Sequence, residues 1–287
     1  MSKGYRRTGT RASTFRSYPD FLNSEVRPYD VWRTWTIVRF LLLSDIHSNL
    51  DALDACIAAA PDFDAVANLG DIVGYGAYPN EVIARSRALG NLFVRGNHDK
   101  ACAGMADVRG FNQIAAAAVV WTHHELSPDN LAWLKQLPQG PLPLAPLTDA
   151  QVAHGSPRDE DEYLLVSDHA ANSASATDIP VTFFGHTHMQ GGFLVNDGQE
   201  ITFRPETAGD GNSKYVYRLD KTGKYLVNPG SVGQPRDGDW RAAFAIFDSD
   251  EKTVTFYRVR YDVEKAAQKI RQAGLPDRLA DRLLVGR

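Results

Sequence analysis

Five short blocks of the chain carry side chains able to hold metal ions: Asp45-Ile46-His47, Gly70-Asp71, Gly96-Asn97-His98-Asp99, Ala153-His154-Gly155 and Gly185-His186-Thr187-His188. Carboxylates crowded into one place repel one another unless cations neutralise them, and a donor set mixing carboxylate, imidazole and amide oxygen suits Mn, Fe, Zn and related divalent ions. In Asp45-x-His47 both side chains leave extended backbone on the same side, because residues i and i+2 share a face. His186-x-His188 repeats that geometry, so one turn can supply a ligand to each of two neighbouring ions. The pattern points to a two-metal centre.

The elements that must position these blocks can be read around them. Residues 38–43 form an apolar run, Leu50, Leu53 and Ile57 fall at helical spacing over 49–60, and short strands are expected near 65–69 and 92–95. This alternation favours a mostly parallel sheet with helices outside it, whose strands each run into an Asp, His or Asn at the carboxyl end. Loops beyond those ends form the ligand crevice of an open α/β sheet, so the blocks should converge. Further along, 114–124 reads as an Ala-rich helix, and Ser127 and Pro128 read as N-cap and first position of another. Strands are expected near 151–154, 181–184 and 224–228, with hairpins around Asn196-Asp197-Gly198 and between 242–247 and 253–260. With no internal repeat, residues 38–287 read as a single domain.

The chain has 287 residues, 43% hydrophobic and 23% charged, enough to bury a core without structural metals or disulfides. Its net charge of −4 excludes an obligate nucleic-acid coat or a polybasic membrane binder. That average hides a basic arm: residues 1–37 carry +4 and the remainder −8. The arm lacks sustained periodicity and reads as poorly ordered, docking at most through Trp32 and Trp35. A valine codon can start translation, so Val38 is a candidate native start, with the arm as upstream sequence. Arg6-Arg7 is followed by no apolar stretch, and no segment is long enough to span a bilayer. Two cysteines, Cys56 and Cys102, make no disulfide framework, which favours a reducing, cytoplasmic setting.

Taken in order over residues 38–248, D-x-H, G-D, G-N-H-D, H and G-H-x-H resemble the signature of the calcineurin-like metallophosphoesterases. VNPGSVGQPRDGD at 227–239 is similar to the corresponding segment of their small bacterial phosphodiesterase branch. The resemblance implies a four-layer α/β/β/α sandwich of two mixed sheets. It implies two divalent ions, manganese first and Fe, Zn or Ni as alternatives. Asp45, His47, Asp71 and His188 would hold one ion; Asp71, Asn97, His154 and His186 the other, with Asp71 bridging. The implied reaction is hydrolysis of a small phosphate diester, nucleotide-derived diesters among the candidates, by a hydroxide held between ions about 3.5–4 Å apart. His98 would act on the phosphoryl group or leaving oxygen, with Asp99 bonded to its other ring nitrogen.

One departure bears on the substrate. The protein phosphatases of this superfamily follow G-D with a motif ending in Asp-Arg-Gly, whose arginine clamps a dianionic monoester; here the stretch is Gly70-Asp71-Ile72-Val73-Gly74-Tyr75-Gly76. Less positive charge leans toward diesters, unless Arg95, Arg158 or Arg236 enters from elsewhere. The alternatives are a phosphomonoesterase, including a protein phosphatase, and a non-catalytic protein-binding scaffold on the same fold. Outside the motifs, His123 and His124 read as helix-terminal and His169 as a loop or helix-start residue. Gly230-Ser231-Val232-Gly233 is expected to border the metals.

Overall fold

The computed structural model describes residues 38–206 and 209–287; the expectations for the arm at 1–37 lie outside the described residues. The first half runs β1 (Arg39–Leu43), α1 (Leu50–Ala59), β2 (Ala65–Asn68), α2 (Pro79–Leu89), β3 (Leu92–Phe93), α3 (Asn97–Cys102), α4 (Gln113–Glu125), α5 (Pro128–Leu134), β4 (Leu142–Pro143) and β5 (Ala150–Val152). The second runs α6 (Ser167–Ala174), β6 (Val181–Phe183), β7 (Gly191–Asn196), β8 (Gln199–Phe203), β9 (Ser213–Arg218), β10 (Lys224–Asn228), β11 (Ala242–Asp248), β12 (Thr253–Val259), α7 (Val263–Gln272) and α8 (Asp277–Val285).

The strands form two six-stranded sheets, ordered β3-β2-β1-β11-β12-β9 and β4-β5-β6-β10-β7-β8. Both are mixed. Strands β1, β2 and β3 are parallel, as the β/α alternation requires, but β11 lies antiparallel against β1. The β11–β12 hairpin adds a further antiparallel pair, so the expectation of a mostly parallel sheet holds only for β1, β2 and β3 here and for β5, β6 and β10 in the second sheet.

Alternation along β1 explains its uninterrupted apolar run. Phe40 and Leu42 face the other sheet among Val152, Phe183, Val227 and Phe247, whereas Leu41 and Leu43 face α1 beside Leu53 and Cys56. Strand β10 repeats the device on the second sheet, with Tyr225 and Val227 inward and Leu226 outward against Ala170 and Ala174 of α6. Strands buried on both faces have no polar side to show, hence no period-two pattern. Each large side chain so buried is worth about 1.5–3 kcal/mol relative to exposure. Helix, sheet, sheet and helix therefore stack as four layers.

Five helices escape the sequence reading: α2, α3, α6, α7 and α8. In α7 the buried face is Ala266, Ala267 and Ile270, which with Val263 fall at helical spacing behind Asp262 at the N-cap. Helices α7 and α8 pack together over Tyr75, Ala115 and Ala118.

Candidate metal centre

All seven expected ligands follow the carboxyl ends of parallel strands: Asp45 and His47 after β1, Asp71 after β2, Asn97 after β3, His154 after β5, His186 and His188 after β6. The loop after β10 ties the two sheets' ends together, since Val232 N–H donates to Ser44 O at 2.9 Å and Gly233 N–H to Asp45 O at 3.0 Å. The glycine loop thus borders the site, as expected. A Cβ at position 233 would fall 1.7 Å from Ile46 O, so only glycine permits that approach.

Asp45, His47, Asp71, His186 and His188 all have left-handed backbone, with φ between 47° and 65°. Such conformations cost about 1–3 kcal/mol each for residues other than glycine and persist where surrounding structure enforces them. Here hydrogen bonds do so: His47 N–H donates to Asp71 O and Ser48 N–H to Ile72 O, both at 3.0 Å.

Two groups of donor atoms result, one formed by Asp45, His47, Asp71 and His188, the other by Asp71, His154 and His186. Asp71 belongs to both. Its Oδ2 lies 3.5 Å from His47 Nε2 in the first group and 3.4 Å from His154 Nε2 in the second. Asn97 Oδ1 joins the second at 3.3 Å from His154 Nε2.

The tautomers fit cations. His47 Nδ1 faces Val73 O, His154 Nδ1 faces Leu69 O and His188 Nδ1 faces Gln234 O. A carbonyl only accepts, so each Nδ1 carries the hydrogen, and His47 and His188, which burial keeps neutral, turn a bare Nε2 inward. His47 Nε2 and His188 Nε2 then stand 3.1 Å apart with lone pairs opposed, an arrangement that a cation between donors relieves. His186 Nε2 is buried with no hydrogen-bond partner. Burial pushes the pKa of His47 well down and that of His186 to about 3, keeping both unprotonated as metal ligation requires. Burial also opposes charge on His154, yet Asp71 holds it up to about 10, so positive charge is favoured beside that carboxylate. Asp71 would itself be raised by burial, but His154 and His98 keep it well below the usual range.

His98 stands beside the ligands without joining them. Its N–H donates to Asp71 Oδ1 at 2.8 Å, its ring packs on Tyr75 and Phe111 with centroids at 4.3 and 5.0 Å, and its Nδ1 is buried without a partner. The expected bond from Asp99 to that ring is not formed. Asp99 Oδ1 accepts from Val73 N–H at 3.1 Å and Oδ2 from Gly96 N–H at 3.0 Å, so its carboxylate fastens two ligand loops. The geometry of a helix start explains this: at the third position of α3 the side chain turns back to the orphan N–H before the helix.

Residues 38–190, just over half of the chain, match the calcineurin-like phosphoesterase family. The chain belongs to that family. An uncharacterized protein of Methanocaldococcus jannaschii is 36% identical over 256 residues, covering 86% of this phosphoesterase and 97% of the relative. A crystal structure of a metallophosphoesterase from Sphaerobacter thermophilus is similar at 38% identity and a TM-score of 0.77, covering 88% of this chain and all of that one. A hypothetical protein of Pyrococcus horikoshii shares the fold at 20% identity and a TM-score of 0.70, over 87% of this chain and 99% of that one.

Around the ligands the phosphoesterase carries a rim that the motifs did not reveal. Tyr75 packs on His47 at 4.6 Å, and Tyr163 lies over His186 at 3.7 Å between ring centroids. Of the three arginines in question, Arg95 pairs with Glu160 at 2.8 Å and Arg158 with Glu162. Arg236 is the one at the site: its backbone N–H donates to His188 O at 3.2 Å, and its guanidinium lies over the Tyr75 ring at 5.7 Å. His169 Nδ1 faces Tyr163 O and His123 Nδ1 faces Cys102 O, so neither serves the centre. The VNPGSVGQPRDGD segment was the available signal for Arg236; nothing in the sequence singles out Tyr163.

Proposed function

We propose that this phosphoesterase is a phosphodiesterase with two metal ions. The observation that carries the reading is Asp71 Oδ2, set within 3.5 Å of an imidazole nitrogen from each ligand group. Asp45, His47, Asp71 and His188 would hold one divalent ion, and Asp71, Asn97, His154 and His186 the other; manganese, iron, zinc and nickel all suit these donors. When bound, two such ions supply Lewis acidity to the phosphoryl oxygens and lower the pKa of water. His98 holds a proton toward the leaving oxygen, its ring fixed between Tyr75 and Phe111. Arg236 orients the phosphoryl group, and as a single guanidinium beside the ions it suits the lone charge of a diester.

Arg236 also favours a second reading as a phosphomonoesterase, since it supplies charge where the Asp-Arg-Gly arginine is missing. The complete ligand set argues against a scaffold without catalysis. Two free, buried cysteines support a reducing cytoplasmic setting. No helix among the described residues is long and apolar enough to cross a membrane.

The test is hydrolysis of bis-(4-nitrophenyl) phosphate against 4-nitrophenyl phosphate after reconstitution with Mn, Fe, Zn or Ni, and without metal. Metal-dependent turnover with kcat/KM higher on the diester is expected. Preference for the monoester would replace the reading with the second, and two bound ions without turnover of either ester would overturn both.

A further inference from the structure

Among the arginines of the folded domain, Arg95, Arg158, Arg241, Arg258 and Arg271 each meet a carboxylate. Arg236 and Arg282 pair with no Asp or Glu side chain among the described residues, although both are half-buried. Arg236 donates to Gln234 Oε1 at 2.9 Å and approaches the Tyr75 hydroxyl at 3.4 Å. Arg282 sits in the last turn of α8, whose end is docked on the loop carrying Arg236 by a 3.0 Å bond from Gly238 N–H to Gly286 O. On the same helix Leu279 and Leu283 pack in one buried cluster with Tyr75, which brings α8 to the edge of the metal site.

Helix capping accounts for only part of Arg282. Its Nε donates to the main-chain O of Arg287, the last residue, at 2.6 Å, leaving both Nη groups without an Asp or Glu side chain among the described residues. Arg278 stands one turn earlier on the same helix, at the i, i+4 spacing that places side chains on one face. Burial disfavours charge on Arg282, and the neighbouring charge of Arg236 on the loop docked against the end of α8 disfavours it further. An oxyanion between them offsets both effects, and planar guanidinium groups pair bidentately with phosphate.

We propose that Arg236 and Arg282, with the Tyr75 hydroxyl, form a second anion subsite beside the metal centre, which binds a further phosphate of the substrate in addition to the scissile group. This rests on the phosphodiesterase reading and narrows it: the substrate is a phosphodiester bearing another phosphate. Arg236 faces both groups, while Arg282 belongs to the added one alone.

A matched pair of substrates tests this in the metal-loaded enzyme. Thymidine 5′-(4-nitrophenyl phosphate) and its 3′-phosphorylated form share scissile bond and leaving group and differ by one phosphate. KM for the phosphorylated ester is expected to be lower by about tenfold or more, the equivalent of one charge-assisted contact. That ratio should fall toward one in Arg282→Gln, recover in part in Arg282→Lys, and persist in Arg271→Gln, whose guanidinium pairs with Asp281 away from the site. Equal KM values in the unmodified enzyme overturn the subsite whether or not the variants fold, as does a ratio that survives Arg282→Gln. Absence of turnover with both esters and with bis-(4-nitrophenyl) phosphate instead overturns the underlying reading.

Discussion

Six of the seven proposed ligand side chains on the floor of the site are at most 3% exposed, while Tyr163 on its rim is 44% exposed and Arg236 and Arg282 are half-buried. The floor is made by backbone: five of those six ligands have left-handed φ, held by loop-to-loop bonds and by glycines that let the loops touch. The rim is made by side chains reaching in from the loops after β2, β5 and β10 and from helix α8, and of Tyr75, Tyr163, Arg236 and Arg282 only Tyr75 has left-handed φ. A floor of that kind tolerates little change and fixes the reaction. A rim of that kind can be altered residue by residue, and it is where substrate choice resides.

The comparison breaks first at Asp71. Asp71→Asn should reduce turnover to background and lower metal content at both positions, read by elemental analysis of the purified variant. Retention of two tightly held ions with full turnover would remove the shared carboxylate. His98→Ala should keep both ions while kcat falls by roughly 10²–10⁴-fold, the range of a general acid or base. Loss of metal in that variant would make His98 a ligand.

On the rim, Arg236→Gln should raise KM for the diester by about tenfold, about 1.4 kcal/mol, with kcat falling less. A collapse of kcat with unchanged KM would move Arg236 into the chemical step.

Asp99 separates the two regions more finely. Because it bonds only backbone, Asp99→Asn should lower stability by about 1–3 kcal/mol, seen in thermal unfolding, while kcat of the folded enzyme stays within roughly threefold. A loss as large as that of His98→Ala would restore it to the catalytic pair.

The smallest effect is expected in the segment carrying Tyr163. Glu160 there pairs with Arg95 and with Lys100 of α3, at 2.8 and 2.9 Å. Burial favours its neutral form, but these two partners hold the carboxyl below its usual 4.5. With the folded value depressed, the stabilisation is present above pH 4.5 and is lost as pH falls through the lower folded value. Glu160→Gln should therefore cost about 1 kcal/mol near neutrality and flatten the stability profile below pH 4.5.

These regions differ equally in what the sequence discloses. Asp, His and Asn at strand ends, with glycine beside them, have few other uses together, so every member of the two donor groups is legible, including His154, which stands alone in its block. The strands were legible where an apolar run meets a turn. Tyr75, Phe111, Tyr163 and Arg282 were not, because an aromatic or an arginine in a loop or on an amphipathic helix has many ordinary roles, and only tertiary contact selects this one. The role expected for Asp99 failed for a related reason: adjacency to His98 in sequence suggested a pair, whereas the helix start turns its carboxylate toward the backbone.

The central claim is that one carboxylate joins two metal positions. Titration of the protein with Mn(II), followed by electron paramagnetic resonance of the loaded form, tests it most directly. The account predicts two ions per chain with an exchange-coupled spectrum that is lost in Asp71→Asn. One ion per chain, or two whose spectra are uncoupled, would contradict it.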